Sequence, residues 1–393
     1  MSSSKQASRE LVKPASAEEA AGALQAAAAE GHSVRVIGAA TKRGWGHVVP
    51  KADVELSTAG LDAIVEHNVG DLTAVLQAGV PLALAQETFG AAGQMLSVDP
   101  PLGAGAAATI GGTVATADSG PLRHRFHALR DLVIGVTVAL PDGSVARAGG
   151  KVIKNVAGYD LAKLMTGAFG TLGVICQVSV RLHPRPADMA TVHAPGSDPG
   201  VLAAAAAALA YRPLEPLALD IDYQRGNGAV LARFGGVTAV AQAGGAVAIL
   251  REAGLPDAAI VEDDESLWQR QRKGQRAADG GAVIRVAGTP RRLGAVLQAA
   301  EALGARAVAR GGIGTAWIKL PAAGSAEHIA AIEELRVRVA PSPATVLDAP
   351  DAVREALDPW GALAPATVAL MRRVKERFDP AATCNRGLFV DGI

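Results

Sequence analysis

One stretch of the sequence, residues 149–175, combines side chains that could contact a ligand with a backbone that could approach it closely. GGKVIKNVAGYDLAKLMTGAFGTLGVI begins with Lys151 and Lys154 and places an amide at Asn155 and a phenol at Tyr159. Glycines at 158, 167, 170 and 173 permit positive φ or close backbone contact. A plain strand–helix–strand connection needs fewer glycines, so the pattern favours a segment that delivers polar groups and bare backbone to a flat ligand.

Two further glycine-containing turns could bind an anion through backbone N–H groups. The first covers residues 38–42 and follows a short predicted strand at 34–37. Successive N–H groups in such a turn can converge on a phosphate, although a plain strand-to-loop turn accounts for the composition equally well. The second covers residues 109–116, which are predicted to start a short helix with N–H groups exposed to a diphosphate. No G-x-x-x-x-G-K-[ST] loop is present, and residues 103–108 lack the flanking strand and helix of a Rossmann fingerprint.

Composition argues against several classes of protein. The 38 basic and 38 acidic residues cancel, which argues against nucleic acid or anionic lipid as the main partner. Glycine or proline interrupts the longest uncharged windows, so no transmembrane helix is predicted. The N-terminus has no apolar signal segment, which predicts a cytoplasmic protein. Cys176 and Cys384 form no C-x-x-C and offer no ligand set for a metal or cluster, so each is predicted to be a buried small hydrophobe.

Hydrophobic periodicity divides the chain at Pro184 and Pro186. Before this point it predicts helices at 17–30 and 82–92, short strands at 54–56, 63–67 and 73–77, a hairpin at 132–148 and a buried strand at 174–182. The basic cluster at 123–130 is predicted to be mainly a solvated loop. Strands and helices alternate again after 186, with 239–253 ambiguous, and the tail contains a basic helix at 368–378.

The three candidate ligand segments and the tail together resemble one family of proteins. The most similar sequence stretches are GGKVIKNVAGYDLAKLMTGAFGTLGV and AGQMLSVDPP. The tail contains the motif D-P-x4-N-x-G at Asp379, Pro380, Asn385 and Gly387. These motifs resemble the FAD-binding oxidoreductases of the vanillyl-alcohol oxidase (PCMH) superfamily, and within it the E subunits of glycolate oxidases. The resemblance covers residues 30–185 and the tail, while the middle of the chain matches only in length and order.

The resemblance implies an α+β fold in three parts. These are a two-subdomain PCMH-type FAD-binding domain at 1–185, an α+β cap domain at 186–355, and a C-terminal segment at 356–393 that returns to the FAD domain. The residues that the resemblance places around the diphosphate of the cofactor are Gly38, Ala39, Ala40, Thr41, Lys42, Ile110, Gly111, Gly112 and Thr113. Those that it places along the path to the flavin ring are Pro101, Ser119 and Gly120, and those near the ring are Asn155, Gly158 and Tyr159. It further implies backbone contacts to the cofactor from Gly173, Val174 and Ile175, and a position over the ring for Asn385.

The sequence departs from the family pattern at informative places. The 38–42 turn has no histidine, the residue that family members often use for covalent attachment, so FAD is expected to be non-covalent. The H-x-G-D-G-N-x-H metal pair found in D subunits of glycolate oxidase is absent, so no metal site is predicted. Arg386 stands where the family commonly has proline.

Three functional hypotheses follow from the resemblance. The first is an FAD-binding subunit of a glycolate-oxidase-type complex, which oxidises a 2-hydroxy acid with a D-type flavoprotein and an iron–sulfur F-type partner and reaches a membrane only through a partner. The second is a stand-alone FAD-dependent alcohol dehydrogenase or oxidase, in which Tyr159 or a cap residue acts as base and Arg285 or Lys319 binds an anion. The third is a non-catalytic, flavoprotein-like scaffold subunit.

Overall fold

The computed structural model describes residues 10–151, 160–262 and 264–393. Strands in its N-terminal part are β1 Glu10–Val12, β2 Val34–Ile37, β3 Val54–Ser57, β4 Ile64–Asn68, β5 Thr73–Gln77, β6 Gln94–Met95, β7 Val133–Ala139, β8 Val145–Gly149, β9 Val174–Arg181 and β10 His183–Pro184. Helices in the same part are α1 Ala17–Ala29, α2 Leu82–Ala91, α3 Ile110–Thr116, α4 Arg123–Phe126, α5 Leu129–Leu132 and α6 Leu161–Met165.

A second set of elements follows from residue 189. Its strands are β11 Met189–Gly196, β12 Ala218–Gln224, β13 Asn227–Gly235, β14 Ala259–Val261, β15 Ala282–Ala287, β16 Arg306–Arg310, β17 Thr315–Leu320 and β18 Ala344–Asp348. Its helices are α7 Pro199–Ala210, α8 Ala239–Glu252, α9 Glu265–Lys273, α10 Leu293–Ala302, α11 Ser325–Val339, α12 Asp351–Ala356 and α13 Pro365–Phe378.

The first sheet is a small parallel one, in the order β1-β3-β2. Helix α1 covers it and begins at Ser16, whose hydroxyl accepts a hydrogen bond from the Glu19 N–H at 3.1 Å. Ala20 and Leu24 on α1 are fully buried in the same cluster as Val34 and Leu56. This packing fixes β2, and with it the start of the 38–42 turn.

The second sheet is antiparallel, with the order β4-β5-β9-β7-β8. Its predicted hairpin is confirmed, because Gly143 has a φ of +85° in the turn between β7 and β8. The central strand β9 is buried along most of its length, as its β-branched run predicts. Helices α2 and α3 pack on this sheet, so α3 meets the N-terminal sheet where the two sheets adjoin.

The third sheet, called the cap sheet below, is antiparallel with the order β14-β11-β13-β12-β16-β17-β15-β18. Helices α7, α8, α10 and α11 cover one face and bury its apolar side chains. The opposite face is turned toward the N-terminal part. There Val283, Val308, Trp317 and Leu347 form one buried cluster with Trp45.

The C-terminal segment returns to the N-terminal sheet, as predicted. Cys384 forms an isolated parallel bridge with Val34, and the Asn385 N–H donates to the Val34 carbonyl at 2.9 Å. A buried ion pair between Lys375 and Asp379, with Nζ and Oδ2 2.7 Å apart, fixes the turn that precedes this bridge. Asp379 also accepts the N–H groups of residues 383 and 384.

Several elements differ from the expectations. Residues 239–252 are helical, which settles the ambiguous segment, and 123–126 form a helix where a solvated loop was predicted. Strands β11, β14, β16 and β18 were not predicted, because each contains alanine, which is a poor strand former, and their pairing depends on distant strands. Both cysteines are buried and free, as predicted. In the parts of the chain that the structure describes, every helix is too short or too polar to span a bilayer.

The buried ion pair of the tail predicts a large effect of a small change. Asp379→Asn would leave the Lys375 ammonium buried without a charged partner, so the free energy of unfolding should fall by about 3–5 kcal/mol. Urea unfolding measures this quantity. Glu334→Gln, which breaks a half-exposed pair with Arg338 on α11, should cost less than about 1 kcal/mol. Equal effects of the two variants would contradict the assignment of a structural role to the buried pair.

Candidate functional site

A cleft of about 830 Å³, including its open mouth, lies where the two N-terminal sheets and the tail meet. Its walls come from four distant segments of the chain. The lining residues that the sequence had suggested for the cofactor are Gly38, Ala39, Ala40, Thr41, Lys42, Gly111, Gly112, Gly173, Ile175 and Asn385. Of the other suggested residues, Ile110, Thr113 and Val174 are buried immediately behind the wall and do not line it.

Residues 39–42 present consecutive free backbone donors to this cleft. The N–H groups of Ala39, Ala40, Thr41 and Lys42 donate to no other residue in the part of the chain that the structure describes. Ala40 has a φ of 55°, so the turn contains a left-handed residue between its neighbours. Successive N–H groups in such a turn form a concave site for an anion. The 38–42 turn therefore fits the phosphates of a dinucleotide cofactor.

Close packing of Gly38 on Thr109 joins this turn to the start of α3. A Cβ atom at Gly38 would lie 2.4 Å from Thr109 Oγ1, a distance that no side chain tolerates. Thr109 is the N-cap of α3, and its Oγ1 accepts the Gly112 N–H at 3.2 Å. Glycine at 38 thus lets the two walls of the cleft touch.

The predicted helix at 110–116 is present, but the expectation that its N–H groups are free is wrong. Ile110 N–H donates to the Val80 carbonyl at 2.9 Å and Gly111 N–H to the Ala78 carbonyl at 2.8 Å. The next two N–H groups donate to the side chain and carbonyl of Thr109. Helix α3 is docked on the end of β5 through these bonds, so in this structure it supplies a close-fitting glycine surface and not open donors.

Asn385 lies on the cleft wall, but its amide is used to join two other walls. Its Oδ1 accepts the Val36 N–H at 2.9 Å, and its Nδ2 donates to the Phe169 carbonyl at 2.6 Å. The sequence suggested that Asn385 closes over the ring. In the structure its side chain instead ties β2 to the 169–170 turn, which keeps the cleft at a fixed width.

A buried charge network closes the end of the cleft nearest the cap sheet. Lys42 Nζ lies 3.3 Å from Asp118 Oδ2, and the guanidinium of Arg276 lies 2.7 Å from the same oxygen. Burial is the main cause that lowers the pKa of Lys42, and Asp118 opposes it. Arg276 stacks 4.5 Å above the ring of Trp45, whose Nε1 donates to Asp348 at 2.8 Å. The cofactor cleft and the cap are therefore linked by charge.

The three residues suggested for the path to the ring lie at this same junction and outside the cleft wall. Ser119 is buried, and its carbonyl accepts a hydrogen bond from Gln275 of the cap at 2.8 Å. Gly120 packs on Asp99 so closely that a Cβ atom at 120 would have no room. Pro101, two residues after Asp99, is also buried. Asn155, Gly158 and Tyr159 lie outside the described residues.

Arg285 and Lys319 lie on the face of the cap sheet that turns toward the N-terminal part. Arg285 on β15 pairs in register with Trp317 on β17, and Lys319 follows two residues later. Burial lowers the pKa of both side chains. Neither forms a hydrogen bond or ion pair with any residue that the structure describes. Both belong to a different surface from the 38–42 turn, and their role in binding an anion stays a prediction.

His124 on α4 is a further contact between the two parts of the chain, and its sequence context predicted a solvated loop. A Cβ at Gly312 would lie 2.4 Å from His124 Cε1, so the imidazole occupies a niche that glycine creates in the cap. Burial first, and the charge of Arg125 second, lower the pKa of His124 to about 4. The imidazole is therefore neutral in the folded protein near neutral pH.

Sequence patterns did not reveal Trp45 and Asp118 as parts of the site, and they placed Thr109 at a predicted helix start without showing its contact with Gly38. Trp45 stands between two glycines, which was the available signal, since glycine on both sides permits close packing of a large ring. Nothing in the sequence marks Asp118, because its partners Lys42 and Arg276 lie far from it along the chain.

Comparison with known proteins identifies the domain that contains the cleft. Residues 9–149 match the family model described as FAD binding domain. The chain contains an FAD-binding domain. This confirms the PCMH-type fold and the FAD cofactor that the sequence motifs implied.

Several named relatives are similar to a part of this chain. It is 42% identical over 123 residues to glycolate oxidase subunit GlcE of Escherichia coli, covering 31% of this chain and 35% of that protein. It is 33% identical over 185 residues to a D-lactate dehydrogenase of Archaeoglobus fulgidus, covering 47% and 41%. For glycolate oxidase subunit GlcD of Bacillus subtilis the identity is 38% over 127 residues, covering 32% and 26%. The chain spans less than half the length of each of these relatives.

A solved structure extends the likeness of the FAD-binding chain to nearly its whole length. Alkyldihydroxyacetonephosphate synthase superposes with a TM-score of 0.72 and 15% sequence identity, covering 95% of this chain and 75% of that one. At this identity the likeness shows the fold alone. The arrangement of FAD-binding domain, cap sheet and returning tail is therefore that of a known fold.

The contact between Gly38 and Thr109 predicts the effect of one added methyl group on cofactor binding. Gly38→Ala should push the 38–42 turn away from α3 and weaken FAD binding by about tenfold or more, because overpacking typically costs about 1–3 kcal/mol. The ratio of flavin to protein absorbance after dialysis measures FAD retention. Gly44→Ala, where an added Cβ meets nothing within 4 Å, is the matched control. Normal FAD retention in Gly38→Ala would contradict the role given to this contact.

The buried imidazole of His124 predicts a pH dependence of stability. Its pKa in the folded state, about 4, lies below the ordinary value of 6.5, so the folded protein binds fewer protons than the unfolded chain between these values. Stability present above pH 6.5 should be lost as the pH falls toward 4. His124→Gln should reduce this loss, measured by urea unfolding across the interval. His32→Gln, at an exposed site, should leave the loss as it is in the unmodified protein.

Proposed function

We propose that this chain is the FAD-binding subunit of an oxidoreductase that oxidises a 2-hydroxy acid such as glycolate. The observation that carries the proposal is the run of free N–H groups at Ala39–Lys42 facing a cleft inside an FAD-binding domain. The names of the relatives, glycolate oxidase subunits and D-lactate dehydrogenases, support the substrate class.

The residues of the cleft fit a dinucleotide held without a covalent bond. The turn at 38–42 would bind the diphosphate through its N–H groups, and the ammonium of Lys42 would add a positive charge beside it. Gly173 and Ile175, which also line the cleft, would offer backbone to the cofactor. The turn contains no histidine, cysteine or tyrosine that could form a covalent link. When bound, FAD supplies the hydride acceptor for oxidation of the substrate hydroxyl.

The proposed division of the chain follows its sheets. An FAD-binding domain at 1–185, a cap domain at 186–355 and a C-terminal segment at 356–393 are supported by the cap sheet, which begins at Met189 and ends at Asp348. In this division the cap presents Arg285 and Lys319 toward the FAD-binding domain as candidates for binding an anionic substrate. Tyr159, proposed from the sequence as a base, lies outside the described residues.

The proposed partners are a D-type catalytic flavoprotein and an iron–sulfur F-type subunit. The names of two relatives, subunits GlcE and GlcD of glycolate oxidase, are the support for a complex. Electrons from the flavin would leave through the clusters of the iron–sulfur partner.

The visible spectrum of the purified chain tests this function. The protein should carry oxidised flavin, and anaerobic glycolate or D-lactate should bleach its absorbance when the proposed partner subunits are present. Bleaching of the isolated chain would instead support a stand-alone dehydrogenase. Flavin that stays oxidised with both acids and all partners would contradict the proposed substrate class, and a chain that binds no FAD on reconstitution would contradict the cofactor assignment.

A further inference from the structure

A continuous chain of hydrogen bonds runs from the middle of the cap sheet to the FAD-binding domain. Arg310 of β16 donates through Nη1 to Asp220 of β12 and through Nη2 to the side-chain oxygen of Gln275. Gln275 follows α9, and its Nε2 donates to the Ser119 carbonyl at 2.8 Å. Because Asp220, Arg310 and Gln275 are all fully buried, bulk water does not compete for these bonds.

On the FAD-binding side the same chain of bonds continues to Lys42. The Ser119 N–H donates to Asp118 Oδ1 at 3.0 Å, and Asp118 Oδ2 lies 3.3 Å from the Nζ of Lys42. Arg276, the neighbour of Gln275, binds the same Oδ2 at 2.7 Å. Two consecutive residues of the cap therefore hold two consecutive residues of the FAD-binding domain, and Lys42 follows on the wall of the cofactor cleft.

A second ion pair on the same two strands makes stability a poor explanation for the buried one. Arg306 binds Asp222 through two hydrogen bonds, of 3.0 and 2.8 Å, at a partly exposed place. The buried pair instead leaves Asp220 Oδ1 and Arg310 Nε without a hydrogen-bond partner among the described residues. Buried charges with unpaired polar atoms cost free energy, and apolar replacements of such pairs are often neutral or stabilising. What the buried pair has in addition is its link through Gln275 to the other domain.

The charge of Lys42 depends on the position of the segment that this link holds. Burial lowers the pKa of Lys42, and Asp118 is the main group that opposes this effect. Both oxygens of Asp118 are engaged, one by the Ser119 N–H and the other by two cations. A shift of Ser119 therefore moves the carboxylate that stabilises the ammonium at the cleft wall.

We propose that Asp220, Arg310 and Gln275 are positioning residues for the cofactor, which hold the 118–119 segment so that Lys42 lies correctly beside the diphosphate of FAD. The proposal rests on the cofactor site of the proposed function, and it deepens that function by making FAD affinity depend on residues of the cap. None of the three positioning residues lines the cofactor cleft. Their effect on FAD is transmitted through Ser119 and Asp118.

Two glutamine variants test the link with a matched control. Gln275→Met removes both bonds of this side chain, so the dissociation constant of FAD should rise at least about fivefold, the usual lower size of a coupling between sites. Gln271→Met is the control, because Gln271 is also fully buried but its side-chain atoms have no partner among the described residues. Titration of the FAD-free chain with FAD, followed by flavin fluorescence, measures both constants.

The two ion pairs supply a second, independent comparison. Asp220→Asn should weaken FAD binding, whereas Asp222→Asn, on the same strand, should leave FAD affinity as it is in the unmodified protein. The ³¹P resonances of bound FAD should shift in Gln275→Met and stay unchanged in Gln271→Met, since a general loss of stability does not move them. If Asp220→Asn fails to fold, as circular dichroism would show, the glutamine variants decide.

A double-mutant cycle with Lys42→Met tests whether the effect passes through Lys42. The combined variant Lys42→Met/Gln275→Met should bind FAD about as weakly as Lys42→Met alone, because the first change removes the end of the link. Losses that add fully would overturn the proposal, as would equal losses in Gln275→Met and Gln271→Met. An unmodified chain that binds FAD with the same affinity as Gln275→Met would overturn this proposal alone. An unmodified chain that binds no FAD would overturn the cofactor site together with it.

Discussion

The close contact between the 38–42 turn and the start of α3 is the constraint on which the cofactor cleft depends. Gly38 follows β2 of the first sheet and Thr109 caps α3, which docks on the second sheet, and their contact distance leaves no volume for a side chain at 38. Thr109 is in turn held by its role as helix cap. Because α3 uses its first N–H groups to dock on the second sheet, the run of consecutive free donors at the cleft belongs to the 38–42 turn. The wall formed by α3 fixes the shape of the cleft, and the 38–42 turn supplies hydrogen-bond donors.

The C-terminal segment holds the walls of the cleft in this arrangement. Lys375 and Asp379 share a buried pair, and the turn they fix delivers Asn385 to the gap between β2 and the 169–170 turn. A buried pair of this kind is expensive to break from one side, whereas its net contribution to stability is modest. The Lys375–Asp379 pair matters here because it fixes the position of Asn385, whose side-chain amide bonds both the Val36 N–H and the Phe169 carbonyl.

The junction with the cap is built mainly from charges and ring contacts. Lys42, Asp118 and Arg276 form one buried network, while Trp45 packs on the cap sheet and donates to Asp348. Charged groups at such a junction need complete pairing, because an unpaired charge loses its hydration without compensation.

The sequence alone predicted most elements of the N-terminal part and the turn at 38–42, because glycine placement and local periodicity are properties of short segments. The FAD-binding domain followed from the resemblance of its motifs to a known family. The sequence did not determine which N–H groups stay free, since that depends on Val80 and Ala78 meeting α3 across a sheet. Nor did the sequence show that the side-chain amide of Asn385 forms hydrogen bonds with the Val36 N–H and the Phe169 carbonyl. Strands such as β16 form because they pair with neighbouring strands of the cap sheet, and β12, one of those neighbours, is distant along the chain. Long-range contacts decided the site, and they exist only in the folded protein.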